Sequence, residues 1–255
     1  MTILKKYLVT KWVRVILLLF FPMAIFLFLF GRQAFLVIPA YFNFQEPGRL
    51  LFQLPEKRHL PGPAVGKDTL FRAFAYSIRI PRNTQPRIVC NEYHHMALFP
   101  GELLVSVTNP LLYVKNPFER YREGKQAEDA AHFRALFFGR FSNNFDFVRQ
   151  SMYTIPSLRL IFASVEDALL RHYQLHTKRY YVRTSLQGAA RIYYFESTAC
   201  KGFQIGDPAS GRHVRLWLFP NNEEVVEIGV HAKGKKKLMQ GDIDHIITTF
   251  GKKVG

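Results

Sequence analysis

From Val15 to Gly31 the chain carries no charge, and thirteen of these seventeen residues are Leu, Phe, Ile or Val. Such a run must be packed into a core, removed as a signal, or held in lipid. At helical rise it extends about 26 Å, close to the hydrocarbon thickness of a bilayer. Summed insertion free energies favour the membrane by roughly 4–8 kcal/mol, and Pro22 is tolerated because membrane helices accommodate proline. A cleavable signal would have a shorter apolar region ending in a small-x-small site. Here Gly31-Arg32-Gln33 follows, a poor site. The expectation is an uncleaved anchor.

Basic residues near a span are retained on the cytoplasmic side. Lys5, Lys6, Lys11 and Arg14 precede the run without an acid, whereas only Arg32 and Arg49 follow it closely. This asymmetry predicts a cytoplasmic tail (1–14), a transmembrane helix (15–31), and everything later outside the cytoplasm. The apolar, aromatic stretch after Arg32 suits the membrane interface. From Gln45 to Gly66 the chain turns to Pro, Gly, Lys and Arg, which predicts an interfacial segment and extended linker over 32–66. An extracytoplasmic domain is then expected over 67–255, long enough for one core.

Within that domain the patterning changes twice. Phe74, Tyr76, Ile78 and Ile80 alternate with Arg72 and Arg79, and Met96 to Tyr113 holds two more candidate strands broken at Pro100-Gly101, Leu104 to Val107 being the clearest. Helices follow. Asn116-Pro117-Phe118-Glu119 is an N-terminal signature, Ala130, Phe133, Phe137 and Phe138 share a face, and Ser142 is placed to cap a short helix reaching Ser151. Ser164 with Glu166 and Asp167 opens a helix whose stripe runs Val165, Ala168, Leu169, His172, Tyr173 and His176. Strands return over Ala190–Ser197, His213–Phe219 and Glu224–His231, the last two joined by a tight turn at Asn221-Asn222. Ile243, Ile246, Ile247 and Phe250 mark a closing helix that Gly251 stops. This order predicts an α+β fold, an antiparallel sheet packed with several helices, preceded by one N-terminal transmembrane helix.

The two cysteines, Cys90 and Cys200, are candidates for one disulfide in an oxidising exterior. The alternative is two buried thiols that never meet. Of a net charge of +16, the first thirty-two residues hold five and the rest of the chain eleven, with lysines and arginines clustered late. Lys178, Arg179, Arg183, Lys233, Lys235, Lys236 and Lys237 are candidate anion-binding residues, since such clusters attract phosphates and anionic headgroups. No zinc spacing, Walker spacing or glycine-rich phosphate loop is present, so no cofactor or metal is expected.

Four histidine or cysteine constellations carry little chemistry. His94 and His95 are adjacent on a strand and point to opposite faces. His172 and His176 stand one helical turn apart but lack the glutamate that follows the first histidine in the zinc protease motif. Ser210, His213 and Asp207 surround a glycine-flanked turn, not a nucleophile elbow. Cys200 beside Lys201 has no placed base. With no catalytic residue to name, the expected function is a non-catalytic binding or accessory subunit of an envelope complex in the cell membrane, its partners the bilayer and another envelope protein. The alternatives are a binder of anionic lipid or polymer, or a hydrolase assembled from scattered residues. Nucleic acid would become a partner only for a cytoplasmic domain.

Overall fold

A computed structural model describes residues 2–43, 50–62, 67–101, 103–110, 140–183, 191–209, 211, 213–222, 224–232 and 238–252. Helix α1 (Thr2–Asn43) leads through a 3-10 turn, η1 (Leu50–Phe52), into β1 (Glu56–Arg58). Strands β2 (Thr69–Ala73), β3 (Tyr76–Ile80), β4 (Arg87–Cys90), β5 (His94–Phe99) and β6 (Leu103–Thr108) follow. Helix α2 (Asn144–Met152), η2 (Leu158–Phe162) and α3 (Val165–Arg183) precede β7 (Ile192–Glu196), β8 (Lys201–Ile205), β9 (His213–Phe219) and β10 (Val226–Ala232). Helix α4 (Gln240–Thr248) and β11 (Gly251–Lys252) close the series.

The fold is α+β. One eight-stranded sheet has the order β1-β7-β8-β9-β10-β6-β5-β4, and a three-stranded sheet has the order β11-β3-β2. The pairings are antiparallel except β1 with β7, which makes the large sheet mixed where an antiparallel one was expected. Alternation along β9 and β10 separates two cores, because successive side chains leave a strand on opposite sides. Val214, Leu216, Leu218, Val226, Ile228 and Val230 meet the small sheet and α4 through Ile78, Ile80, Ile243, Ile246 and Ile247. On the other face Trp217, Phe219, Phe203 and Tyr194 meet Phe145, Val148 and Met152 of α2 and Tyr181 and Val182 of α3. The Trp217 indole N–H donates to the Tyr181 carbonyl at 3.2 Å, which fixes α3 over β9.

Several expected elements differ in detail. The segment 70–80 is a hairpin, β2 pairing with β3 from Thr69–Ile80 to Ala73–Tyr76. Its turn holds Phe74 at φ 53°, a conformation usually left to glycine, and the ring is stacked on His95 at 4.0 Å. Six residues, not a two-residue turn, join β9 to β10; Asn221 Oδ1 there accepts the Glu224 N–H at 2.7 Å. The short helix is capped by Asn143, whose side chain accepts from the Asp146 N–H, one position beyond Ser142. Ser164 caps α3 as expected, its hydroxyl accepting the Asp167 N–H at 3.0 Å. Residues 50–58 are not linker: Leu51 is fully buried, against Leu175, and β1 is a strand of the large sheet. The helices expected after Asn116 and over Ala130–Phe138 lie outside the described residues.

Candidate functional site

Helix α1 does not stop at Arg32. Its 42 residues rise about 63 Å, twice what a bilayer core needs. The second half is docked on the folded body: Ala34 and Val37 pack with Ile161 and Ala168, and Gln33 Nε2 donates to the Ala163 carbonyl at 3.4 Å. Before Phe26 the described side chains stand clear of the body, as do Leu27 and Phe28 on the outer side of α1. Leu18, Leu19, Phe20, Phe21, Leu27 and Phe28 each expose more than half their surface, Phe28 89%. This pattern excludes a core helix, which would be covered all round. Among the described residues, one helix is long and apolar enough to span a membrane, over Leu18–Phe35.

At the point where α1 joins the body, one aromatic side chain of η2 belongs to both. The Phe162 ring meets Phe26 edge-on at 6.4 Å and Phe30 at 5.3 Å, yet Phe162 remains 68% exposed. Helix α3 starts beside Gln33 and runs in the same direction as α1, since Leu175, two turns beyond Ala168, lies beside Tyr41 and Val37. On the opposite side of α1, Phe35 is 79% exposed beyond Arg32, and Ile38 is 39% exposed on the flank. Phe21, Phe28 and Phe35 recur every seven residues and share one face.

The cysteines do not form the candidate bridge. Both are free, Cys90 exposed on edge strand β4 and Cys200 buried beside β8. Five strand spacings separate β4 from β8, roughly 24 Å, against a Cα separation of about 7 Å that a disulfide tolerates. Burial pushes the Cys200 thiol up to about 11, partly offset by its contact with the Ser197 hydroxyl. It is an inert core residue, not a nucleophile.

Lys178 is also corrected. It is fully buried, and its ammonium donates to the Gln53 carbonyl at 2.7 Å and the Thr154 carbonyl at 2.9 Å. It ties η1 and the α2–η2 connection to α3 and offers nothing to an external anion. Arg179 is half-buried beside His176. The side chain of Arg183 and all of Lys233, Lys235, Lys236 and Lys237 lie outside the described residues.

His172 and His176 approach to 4.4 Å between ring centres, and burial together with His172 and Arg179 lowers His176 to about 4. His172 lines a small cavity with Val37, Tyr41, Ala168 and Leu175, so it faces α1. No group of three metal-ligating side chains occurs among the described residues. His94 is exposed while His95 lies half-buried under Phe74, on opposite faces as their adjacency requires. Asp207 accepts the Ala209 N–H at 2.9 Å within its turn, and Ser210 lies outside the described residues.

Two polar clusters were not foreseen. On the face of β6, β10 and β9 beyond α3, Glu227 pairs with Arg215 at 2.9 Å and accepts from the Thr108 hydroxyl at 3.2 Å. His213 and His231 are cross-strand partners with ring centres 5.5 Å apart, and burial with Arg215 lowers His213 to about 4. Gly229 keeps this row close; a Cβ there would lie 2.7 Å from the Ser106 hydroxyl. The signal was available, as His213, Arg215, Glu227 and His231 occupy the alternate positions of strands whose other positions are apolar. On the opposite face Arg58 reaches Asp244 at 2.5 Å and Gln204 at 3.0 Å, and Gln240 bridges Gln204 and Asp244. That network joins β1, β8 and α4, residues too far apart in sequence to be paired by eye.

No family model, no curated protein and no solved structure matches this chain.

Proposed function

We propose that this is a single-pass membrane protein with a cytoplasmic N-terminus and an extracytoplasmic folded body. It acts as a non-catalytic subunit that binds a second envelope protein in the cell membrane. The observation that carries this is the stripe Phe21, Phe28 and Phe35, exposed on the side of α1 away from its own body. Seven-residue spacing keeps such side chains on one helix face, as a facing helix requires. The stripe continues past Arg32 to Phe35, the last residue of the candidate span, where the helix leaves the hydrocarbon. Within the bilayer, packing rather than hydrophobicity drives helix association, and large aromatic rings supply contact area. The basic excess of Lys5, Lys6, Lys11 and Arg14 supports the orientation.

A photo-crosslinking residue at Phe35, in the full chain at native expression level, tests the partner. One discrete protein adduct is expected from Phe35 and none from exposed Ile88 on β4. Adducts to lipid alone at Phe35 would remove the binding role. A reporter fused after Gly255 tests the side: activity only beyond the cytoplasm is expected, and cytoplasmic activity overturns the orientation.

A further inference from the structure

We infer that the tip of η2 is a second membrane contact, with Phe162 lying in the headgroup–acyl boundary of the leaflet beside the body. This rests on α1 spanning the bilayer. Phe26 and Phe30 both belong to the uncharged run, six and two residues before Arg32. At helical rise they lie about 9 Å and 3 Å deeper than Arg32 along the axis. The Phe162 ring touches both, so it shares that depth. Amphipathic elements that lie on membranes reach about 5–10 Å into the same boundary.

The contact is not adjustable. Gln33 is bonded to Ala163, and Ala34 and Val37 are packed on Ile161 and Ala168. The tip therefore follows α1 into whatever medium surrounds Phe26 and Phe30. The exposed part of Phe162 has no protein cover among the described residues, which suits lipid and not water. Charges sit above it. Arg159, exposed, lies between Ser157 and Leu160, which line a cavity with Val37 and Tyr41, so it stands on the Arg32 side of Phe162. Two guanidinium groups on that side face headgroup phosphates, with their stems along the apolar surface. The acids nearby are Glu166, exposed, and Asp167, which Arg140 holds at 2.7 Å and Ser164 at 2.9 Å; both follow the tip on α3.

Nitroxide labels on the full chain in phosphatidylethanolamine/phosphatidylglycerol nanodiscs test this, in a Cys90→Ser background that leaves buried Cys200. Labels are placed by Phe162→Cys, Arg159→Cys, Leu19→Cys and Ile88→Cys, and power saturation compares oxygen with a nickel chelate. Oxygen access is expected to exceed chelate access several-fold at 162 and 19, with the reverse at 88 and an intermediate ratio at 159. Chelate-dominated access at 162 with oxygen-dominated access at 19 overturns the lipid contact and leaves the span standing. Chelate dominance at both overturns the span itself. Low access to both reagents at 162 means a protein covers the ring and overturns the lipid contact. Phe162→Trp in a Trp12→Phe background keeps an aromatic ring on Phe26 and Phe30; brominated lipid is expected to quench it while buried Trp217 stays bright, and no quenching overturns the proposal.

Discussion

Lys178 brings an ammonium into the interior on two backbone carbonyls, and burial alone lowers its pKa to about 7. An unfolded lysine titrates near 10.4, so between these values the unfolded chain holds a proton that the folded chain has released. Stability therefore rises with pH across this window. Melting of the full chain in detergent is expected to gain about 1 kcal/mol from pH 7 to pH 8, and Lys178→Met to flatten that gain. Above about pH 8 the raised Cys200 thiol, and at higher pH the raised Tyr76 hydroxyl, act with the opposite sign, so the comparison stops there. On the acid side His176 and His213 are both lowered to about 4. Each contributes stability that is complete above about 6.5 and declines as pH falls toward 4. His213→Gln is expected to reduce the loss between pH 6.5 and 5 by about half, read from the same melts. None of this was legible locally. Lys178 lies in a run of His, Lys and Arg that resembles a solvated surface. It is buried because α3 is covered by α1 at Ala168, by η1 at Leu175 and by the sheet at Tyr181 and Val182.

At the scale of elements, periodicity worked where one face of an element is wet. The α3 cap, the β9 and β10 alternation and the Ile243–Ile247 stripe of α4 stand where expected. It failed for β8, because Gly202, Phe203, Gln204 and Ile205 are all buried and no alternation survives. Gly202 shows how tight that strand is. A Cβ there would fall 2.3 Å from the Trp217 carbonyl oxygen and 2.8 Å from the Phe195 ring. Gly202→Ala is expected to cost about 3 kcal/mol or more, measured by urea unfolding, since overpacking moves backbone here and not a flexible tip. It failed again for β1, whose Glu-Lys-Arg sequence looks like linker. Three charged residues make a strand because Arg58 is drawn inward by Asp244 and Gln204, and burial raises Asp244 against the pull of Gln240 and Arg58. Asp244→Ala leaves that guanidinium without its carboxylate, at a cost of about 3–5 kcal/mol. Amide exchange is expected to rise at Glu56–Arg58 before any other strand, and uniform loss of protection would remove β1 as a separately held element.

For the whole molecule, the apolar run was legible but its other task was not. Composition places a boundary near Gly66, yet α1, η1 and β1 all contribute to the body before it. Leu51 seals Leu175, the docked half of α1 covers Ile161 and Ala168, and β1 supplies the edge strand beside β7. Composition could not show this, because Phe26, Phe30, Ala34 and Val37 lie on one side of a helix whose other side is equally apolar. Lipid and protein make the same demand on sequence, and only packing tells them apart. The consequence is a boundary inside α1. A chain beginning at residue 26 keeps the described contacts of Phe26, Phe30, Gln33, Ala34 and Val37 with the body, and is expected to fold with one cooperative melt in mild detergent. A chain beginning at residue 67 loses β1, η1 and the helix, which uncovers Ile161, Ala168 and Leu175 together with the carbonyl partner of Lys178 at Gln53. It is expected to aggregate or to melt without cooperativity. Equal stability of the two chains, measured side by side, would mean that α1 rests on the body without supporting it. The rigid coupling that carries Phe162 toward the membrane would then be lost as well.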